Sequence, residues 1–255
     1  VIATGSALWL VGAAGLAGAL NAVAGGGSFF TFPALIVLGI PPIAANATST
    51  VALWPGSLAS AFAYRRELRD HPEGLPWLSL VSLVGGSLGA WLLLRTGDTT
   101  FARLIPWLLL TATVLFAASG FLVPRLRVRD VPASPGPWWP VVGVAVQLAI
   151  AIYGGYFGGG IGILMLAAFA LAGQTDIHVM NARKSWLGAL MNGVAVVTFA
   201  SAGAVRWHEA AIMVLGAIAG GYGGARLARR VDPRLVRRLV VASGSALTAW
   251  FFLRS

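Results

Sequence analysis

Cysteine is absent from the 255 residues. That excludes disulfides and thiolate metal sites, without naming a compartment. Charge is scarce: Asp, Glu, Lys and Arg together make up 10% of the chain, and residues 1–64 hold none of them. A soluble domain of this length needs far more charge to cover its surface, so a water-surrounded globule is excluded. Lysine occurs once, as Lys184. The acidic residues Glu67, Asp70, Glu73, Asp98, Asp130, Asp176, Glu209 and Asp232 lie between apolar runs or at their ends, so no buried carboxylate relay is visible.

What is present in abundance is apolar sequence, at 58% of the chain. Further uncharged runs cover 75–94, 104–123, 131–175, 185–205 and 239–253. A bilayer span needs about 20 apolar residues, so the chain reads as an all-α polytopic membrane protein, with the lipid bilayer as its surroundings. Residues 1–20 lack a basic region and run straight into more apolar sequence, which argues against a cleavable signal peptide. The net charge of +10 does not indicate nucleic acid. Most arginines cluster in short stretches between apolar runs (Arg65, Arg66 and Arg69; Arg125, Arg127 and Arg129; Arg226, Arg229, Arg230, Arg234, Arg237 and Arg238). This is the positive-inside pattern of a membrane protein.

The chain repeats itself at an offset of 135 residues. Gly25, Gly27, Asn46 and Ala47 fall on Gly160, Gly162, Asn181 and Ala182, and Gly85, Gly86, Gly89, Arg95 and Arg103 fall on identical residues. Each copy reads as five helical segments: 1–20, 28–40, 44–64, 75–95 and 101–123, then 138–157, 161–173, 178–203, 207–227 and 235–253. The expected organisation is a first transmembrane repeat at 1–123, a Pro-rich cytoplasmic linker at 124–137 and a second repeat at 138–255. Placing the arginine-rich loops inside inverts the second copy and leaves both chain ends outside the plasma (inner) membrane.

The second segment of each copy is too short to cross a bilayer core of roughly 30 Å. It follows a glycine tract, Gly25-Gly26-Gly27 or Gly158-Gly159-Gly160-Ile161-Gly162. The spacing predicts a re-entrant helix broken at mid-membrane, which is tolerated only where the backbone is buried in protein or lines a wet cavity. A helix starting there offers unpaired N–H groups and the positive end of its dipole, a setting for a small anion. Close helix packing is the competing reading of a glycine tract, and it is the preferred one for Gly85/Gly89, Gly216/Gly220 and Gly220/Gly224.

Candidate substrate-binding residues are therefore Gly25, Gly26, Gly27, Ser28 as a cap and donor, Gly158, Gly159, Gly160 and Gly162. The helices that follow add Asn46, Thr48 and Ser49 in one copy and Asn181, Arg183, Lys184 and Ser185 in the other. Thr48 to Thr50 could instead bond back to their own helix, and Arg183 and Lys184 could snorkel to the cytoplasmic side. Asn21, Tyr153, Tyr156 and Asn192 are further candidates for lining a cavity. No metal site and no cofactor are expected. His208-Glu209 opens like a zinc motif, but Ile212 stands where the second histidine belongs. Neither glycine tract ends in the Lys-Ser/Thr of a phosphate loop, so an enzyme is disfavoured.

At Asn21-Ala-Val-Ala-Gly-Gly-Gly-Ser28 with Asn46-Ala-Thr-Ser-Thr50, and again at 153–162 with Asn181, the chain resembles the sulfite exporter TauE/SafE family of membrane permeases. The resemblance spans both repeats and the linker. It implies a secondary transporter of the plasma membrane for sulfite, sulfoacetate or a related organosulfonate. An anion channel, or carriage of a different organic anion, stays open, as does homo-oligomerisation.

Overall fold

The computed structural model describes residues 4–23, 26–128, 139–228 and 233–253, and within these all regular structure is helical. The eleven helices are α1 (Thr4–Val23), α2 (Ser28–Val37), α3 (Pro42–Ala63), α4 (Arg65–Asp70), α5 (Leu75–Thr96), α6 (Asp98–Val128), α7 (Trp139–Tyr156), α8 (Ile161–Leu171), α9 (Ile177–Ser201), α10 (Trp207–Ala228) and α11 (Pro233–Phe252). Two boundaries differ from the sequence reading. Residues 65–70, expected as a loop, form the short helix α4 because Glu67 and Arg69 suit its two ends. Helix α6 runs on to Val128, into the stretch expected as linker. The remainder of that linker, Gly25, and the expected chain ends lie outside the described residues.

Both short helices fold back along their predecessors. Trp9 Nε1 donates to Ala34 O at 3.3 Å, and Gly27 N donates to Asn21 Oδ1 at 2.8 Å, so the start of α1 meets the end of α2. In the second hairpin, Gly154 lies against Ile161 and Gln147 against Met165, which sets α7 and α8 in the same relation. The chain turns at Gly26, Gly158 and Gly160, whose φ values of 91°, 78° and 78° are open to glycine and costly for other residues.

Helices α1 and α10 run side by side in one direction, Val11 and Gly15 meeting Gly216 and Gly220, and Gly18 meeting Ala217 and Gly221. Helices α5 and α7 do the same, through Gly85 on Ala151, Gly86 on Gly155 and Gly89 on Ile152. Absent side chains let these backbones touch. Helices α3 and α9 cross in opposite directions: Trp54 Nε1 donates to Ala189 O at 3.0 Å, and Ser60 Oγ lies 3.1 Å from Ser185 Oγ. Trp54 and Ala189 are 135 residues apart, the repeat offset itself.

Outward-facing residues are strongly apolar, with Leu8, Trp77, Trp107, Val197 and Leu215 all more than half exposed. Among the described residues, α5 is the one helix that is long and apolar enough, by length and composition, to cross a membrane. Helices α2 and α8 are 10 and 11 residues long. At 1.5 Å per residue, each is about half the thickness of a bilayer core.

Candidate functional site

The second glycine tract brings the most ligand-ready groups together. Gly160 caps α8 in the left-handed conformation, and no side chain accepts a bond from the first amides of the helix. The amides of Ile163 and Leu164 bond to Gly160 O, but those of Ile161 and Gly162 have no partner among the described residues, so the helix end stays electropositive. Lys184, two turns into α9, passes directly across this end. Its Cδ lies 3.2 Å and its Cε 3.9 Å from where a β-carbon on Gly162 would stand. Lys184 is partly buried, and among the described residues no hydrogen bond or ion pair engages its ammonium. Tyr153, one turn before the tract, packs against both hydrophobic clusters, and its hydroxyl is buried with no hydrogen-bond partner among the described residues.

The equivalent place in the first half is already satisfied. Ser49 holds the position of Lys184, and its Oγ lies 2.6 Å from Thr31 Oγ1, which in turn reaches Gly27 O at 3.3 Å. Ser28, expected as a cap, is the first residue of α2 rather than its cap. Gly27 occupies that position with no side-chain cap bond. The carboxamide of Asn21 takes up the Gly27 amide instead, so Asn21 serves the backbone of the break. Gly27 itself is enclosed, because a β-carbon there would meet Ala17 O and Asn21 Nδ2, each at 2.7 Å.

Several other candidates hold the scaffold. Thr48 Oγ1 accepts from Arg206 N at 3.0 Å, fixing the turn before α10. Arg183, its counterpart in the repeat, donates to His71 O at 3.4 Å and Glu73 O at 3.1 Å, and lies 3.6 Å from the Glu73 carboxylate, fixing the turn before α5. The same register position therefore anchors the same turn in both halves. Arg183→Ala is expected to cost about 2–3 kcal/mol of stability, because two backbone carbonyls lose a charged donor. Glu73→Gln should cost under about 1 kcal/mol, since that side chain is 75% exposed and the carbonyl bonds survive. Thermal melts of the two purified variants check this ordering.

Asn46 is buried and donates through Nδ2 to Tyr156 O at 3.2 Å, satisfying a carbonyl at the end of α7. Tyr156 reaches Thr96 Oγ1 through its hydroxyl at 3.1 Å, and Thr50 bonds back to Asn46 O. Ser185 faces Ser60 across the α3–α9 crossing. Asn181 is partly buried near the start of α9, and Asn192 sits beside Gly193, which packs on Trp54. Asp176 caps α9 by accepting from His178 N at 2.7 Å and Val179 N at 3.4 Å. These two bonds hold its carboxyl below the usual aspartate range. The capping contribution is thus present above that range and is lost as pH falls through the lowered value.

Sequence reasoning missed the aromatic contact between the hairpins. Phe157, immediately before the second tract, meets Phe32 of α2 edge to face at 5.9 Å, and Phe101 and Phe251 close around Phe32. Phenylalanine in an apolar chain carries little positional signal, but its place beside Gly158 was a legible hint. Gly159 packs against the Phe157 ring and Gly160 against Ala112 of α6.

A helical membrane protein is the class indicated by the all-helical described residues and their strongly apolar outward surface. Residues 10–251 match the family described as Sulfite exporter TauE/SafE, and the chain belongs to that family of membrane transporters. It is 29% identical to a probable membrane transporter protein, ORF9, of a Sinorhizobium species, over 92% of this chain and 88% of the relative. It is 26% identical to a probable membrane transporter protein of Haemophilus influenzae, over 90% and 88% of the two chains. The probable membrane transporter protein YfcA of Escherichia coli K12 is also 26% identical, over 92% and 85%. No solved structure matches the chain significantly.

Proposed function

We propose that the chain is a secondary transporter that carries a small sulfur oxyanion, such as sulfite or an organosulfonate, across the plasma membrane by alternating access. The observation that carries this reading is Lys184, without a partner among the described residues, laid across Gly162 at the amino end of α8. Positive charge and free amides at one place fit a compact anion, and the family description supplies the sulfur chemistry. In this reading the anion sits in the second half, held by Lys184 with the amides of 160–162 and the Tyr153 hydroxyl. Ser49, bonded to Thr31, replaces the charge in the first half.

Two inverted repeats account for the helix directions. An odd number of crossings per copy makes equivalent helices antiparallel, as α3 and α9 are. Exchange of partners between copies, α1 with α10 and α7 with α5, gives the halves a shared framework on which they can rock. With the arginine-rich loops inside, α1 and α2 open outward and α7 and α8 open inward.

A thermal-shift screen of the purified protein with sulfite, sulfate, thiosulfate and small organosulfonates tests the reading. A true substrate at 100 times its Kd stabilises the folded state by about 2.7 kcal/mol, while chloride at equal ionic strength does not. A screen in which no sulfur oxyanion outperforms chloride removes the proposed substrate class.

A further inference from the structure

We infer a binding site for one anionic phospholipid in the cleft between α3, α4, α5 and α9, apart from the Lys184 site and independent of which solute is carried. The cleft has a volume of about 550 Å³, in the range of pockets that take organic ligands. Its wall is made by Leu58, Phe62, Leu75 and Trp186, and Arg65 and Arg69 are the charged residues on it. An apolar wall with two cations matches the two ends of an anionic lipid, an acyl chain and a phosphate.

The local sequence explains the arrangement. Helix α4 reads Arg65-Arg66-Glu67-Leu68-Arg69-Asp70, so Arg65, Leu68 and Arg69 share one face by helical spacing, and all three line the cleft. Arg66, Glu67 and Asp70 do not line it, so both charges on its wall are positive. The Arg65 guanidinium lies 4.5 Å over the Phe62 ring and donates to Phe62 O at 3.2 Å. That fixes it beside the apolar wall with most of its five donors uncommitted among the described residues. Trp186 is held in turn by its Nε1 bond to Ser79 Oγ at 2.9 Å.

Lipid is favoured as occupant by what surrounds the cleft. Leu58 and Phe62 on its wall are 44% and 68% exposed, so the cleft opens on an apolar surface beside the arginines of α4. In a membrane transporter that junction lies at headgroup depth, where paired arginines attract anionic lipid.

The test uses the full chain, purified in detergent and titrated with dioleoyl phosphatidylglycerol or dioleoyl phosphatidylcholine while its melting temperature is followed. Phosphatidylglycerol is expected to raise the melting temperature saturably, and phosphatidylcholine to leave it nearly unchanged. The double variant Arg65→Gln/Arg69→Gln should need roughly tenfold more phosphatidylglycerol, or more, for the same shift. Leu58→Trp, at a partly exposed position, fills the cleft while keeping both arginines, and it should also lose the response. It keeps the test decisive if the double variant does not fold. Equal stabilisation by the two lipids, an unchanged response in Leu58→Trp, or a full shift with glycerol 3-phosphate, which has no acyl chain, overturns the proposal.

Discussion

Alanine at Gly155 is expected to abolish the folded protein, whereas alanine at Gly143, earlier on the same helix, leaves it intact. A β-carbon at Gly155 would drive into the Gly86 carbonyl of α5, a backbone atom that cannot move without displacing its helix. Nothing lies within 4 Å of one at Gly143. Overpacking a core costs about 1–3 kcal/mol when side chains can shift. A clash of backbone with backbone exceeds that range, because the α5–α7 contact must open along its length. The other framework pair gives an independent copy of the experiment on α1: Gly18→Ala meets Ala217 O and Gly221 N, while Gly12→Ala meets nothing within 4 Å. Gly143→Ala and Gly12→Ala should be neutral or stabilising by up to about 1 kcal/mol, through helix propensity. Size-exclusion profiles of the four variants separate the cases. Folded, monodisperse Gly155→Ala and Gly18→Ala proteins would mean that these helices do not pack as closely as described.

Lys184→Met should weaken anion binding and at the same time raise the melting temperature of the unliganded protein. Methionine keeps an unbranched stem over Gly162 and discards an ammonium that has no partner among the described residues. Burying an unpaired charge is costly, and an apolar group of similar shape relieves the cost. A charge-assisted hydrogen bond to the anion contributes about 1.5–3 kcal/mol, so affinity should fall by roughly ten- to more than hundred-fold. The paired signs are the diagnostic feature. A lysine that merely snorkels would lose some stability and leave affinity alone, and Arg183→Ala should lose stability through its bonds to His71 and Glu73.

The short helices α2 and α8 were legible because their cause is local: a glycine tract precedes each, and Gly26, Gly158 and Gly160 take positive φ. Close packing at Gly85, Gly89, Gly216 and Gly220 was legible too, since only small residues let helices approach so far, but not that α5 meets α7 and α1 meets α10 there. The division of labour inside the polar clusters was not. Thr48 and Ser49 are neighbours of like chemistry, yet one fixes the turn before α10 and the other bonds Thr31 of α2. Arg183 and Lys184 divide in the same way. Which face each residue presents depends on helix rotation, set by distant contacts such as Trp54 on Ala189. Asn46 and Tyr156 show the same dependence, Asn46 turning to the Tyr156 carbonyl at the end of α7 and the Tyr156 hydroxyl to the Thr96 side chain.

The proposed function takes one sulfur oxyanion through a site built on Lys184 and the amino end of α8. Counterflow in proteoliposomes tests it most directly: vesicles loaded with unlabelled sulfite are diluted into radiolabelled sulfite, with wild-type protein and Lys184→Met compared. The wild type should accumulate label transiently and saturably, and Lys184→Met should show little more than empty vesicles. Equal counterflow by the two proteins, or uptake by the wild type that neither saturates nor depends on internal sulfite, would contradict the account.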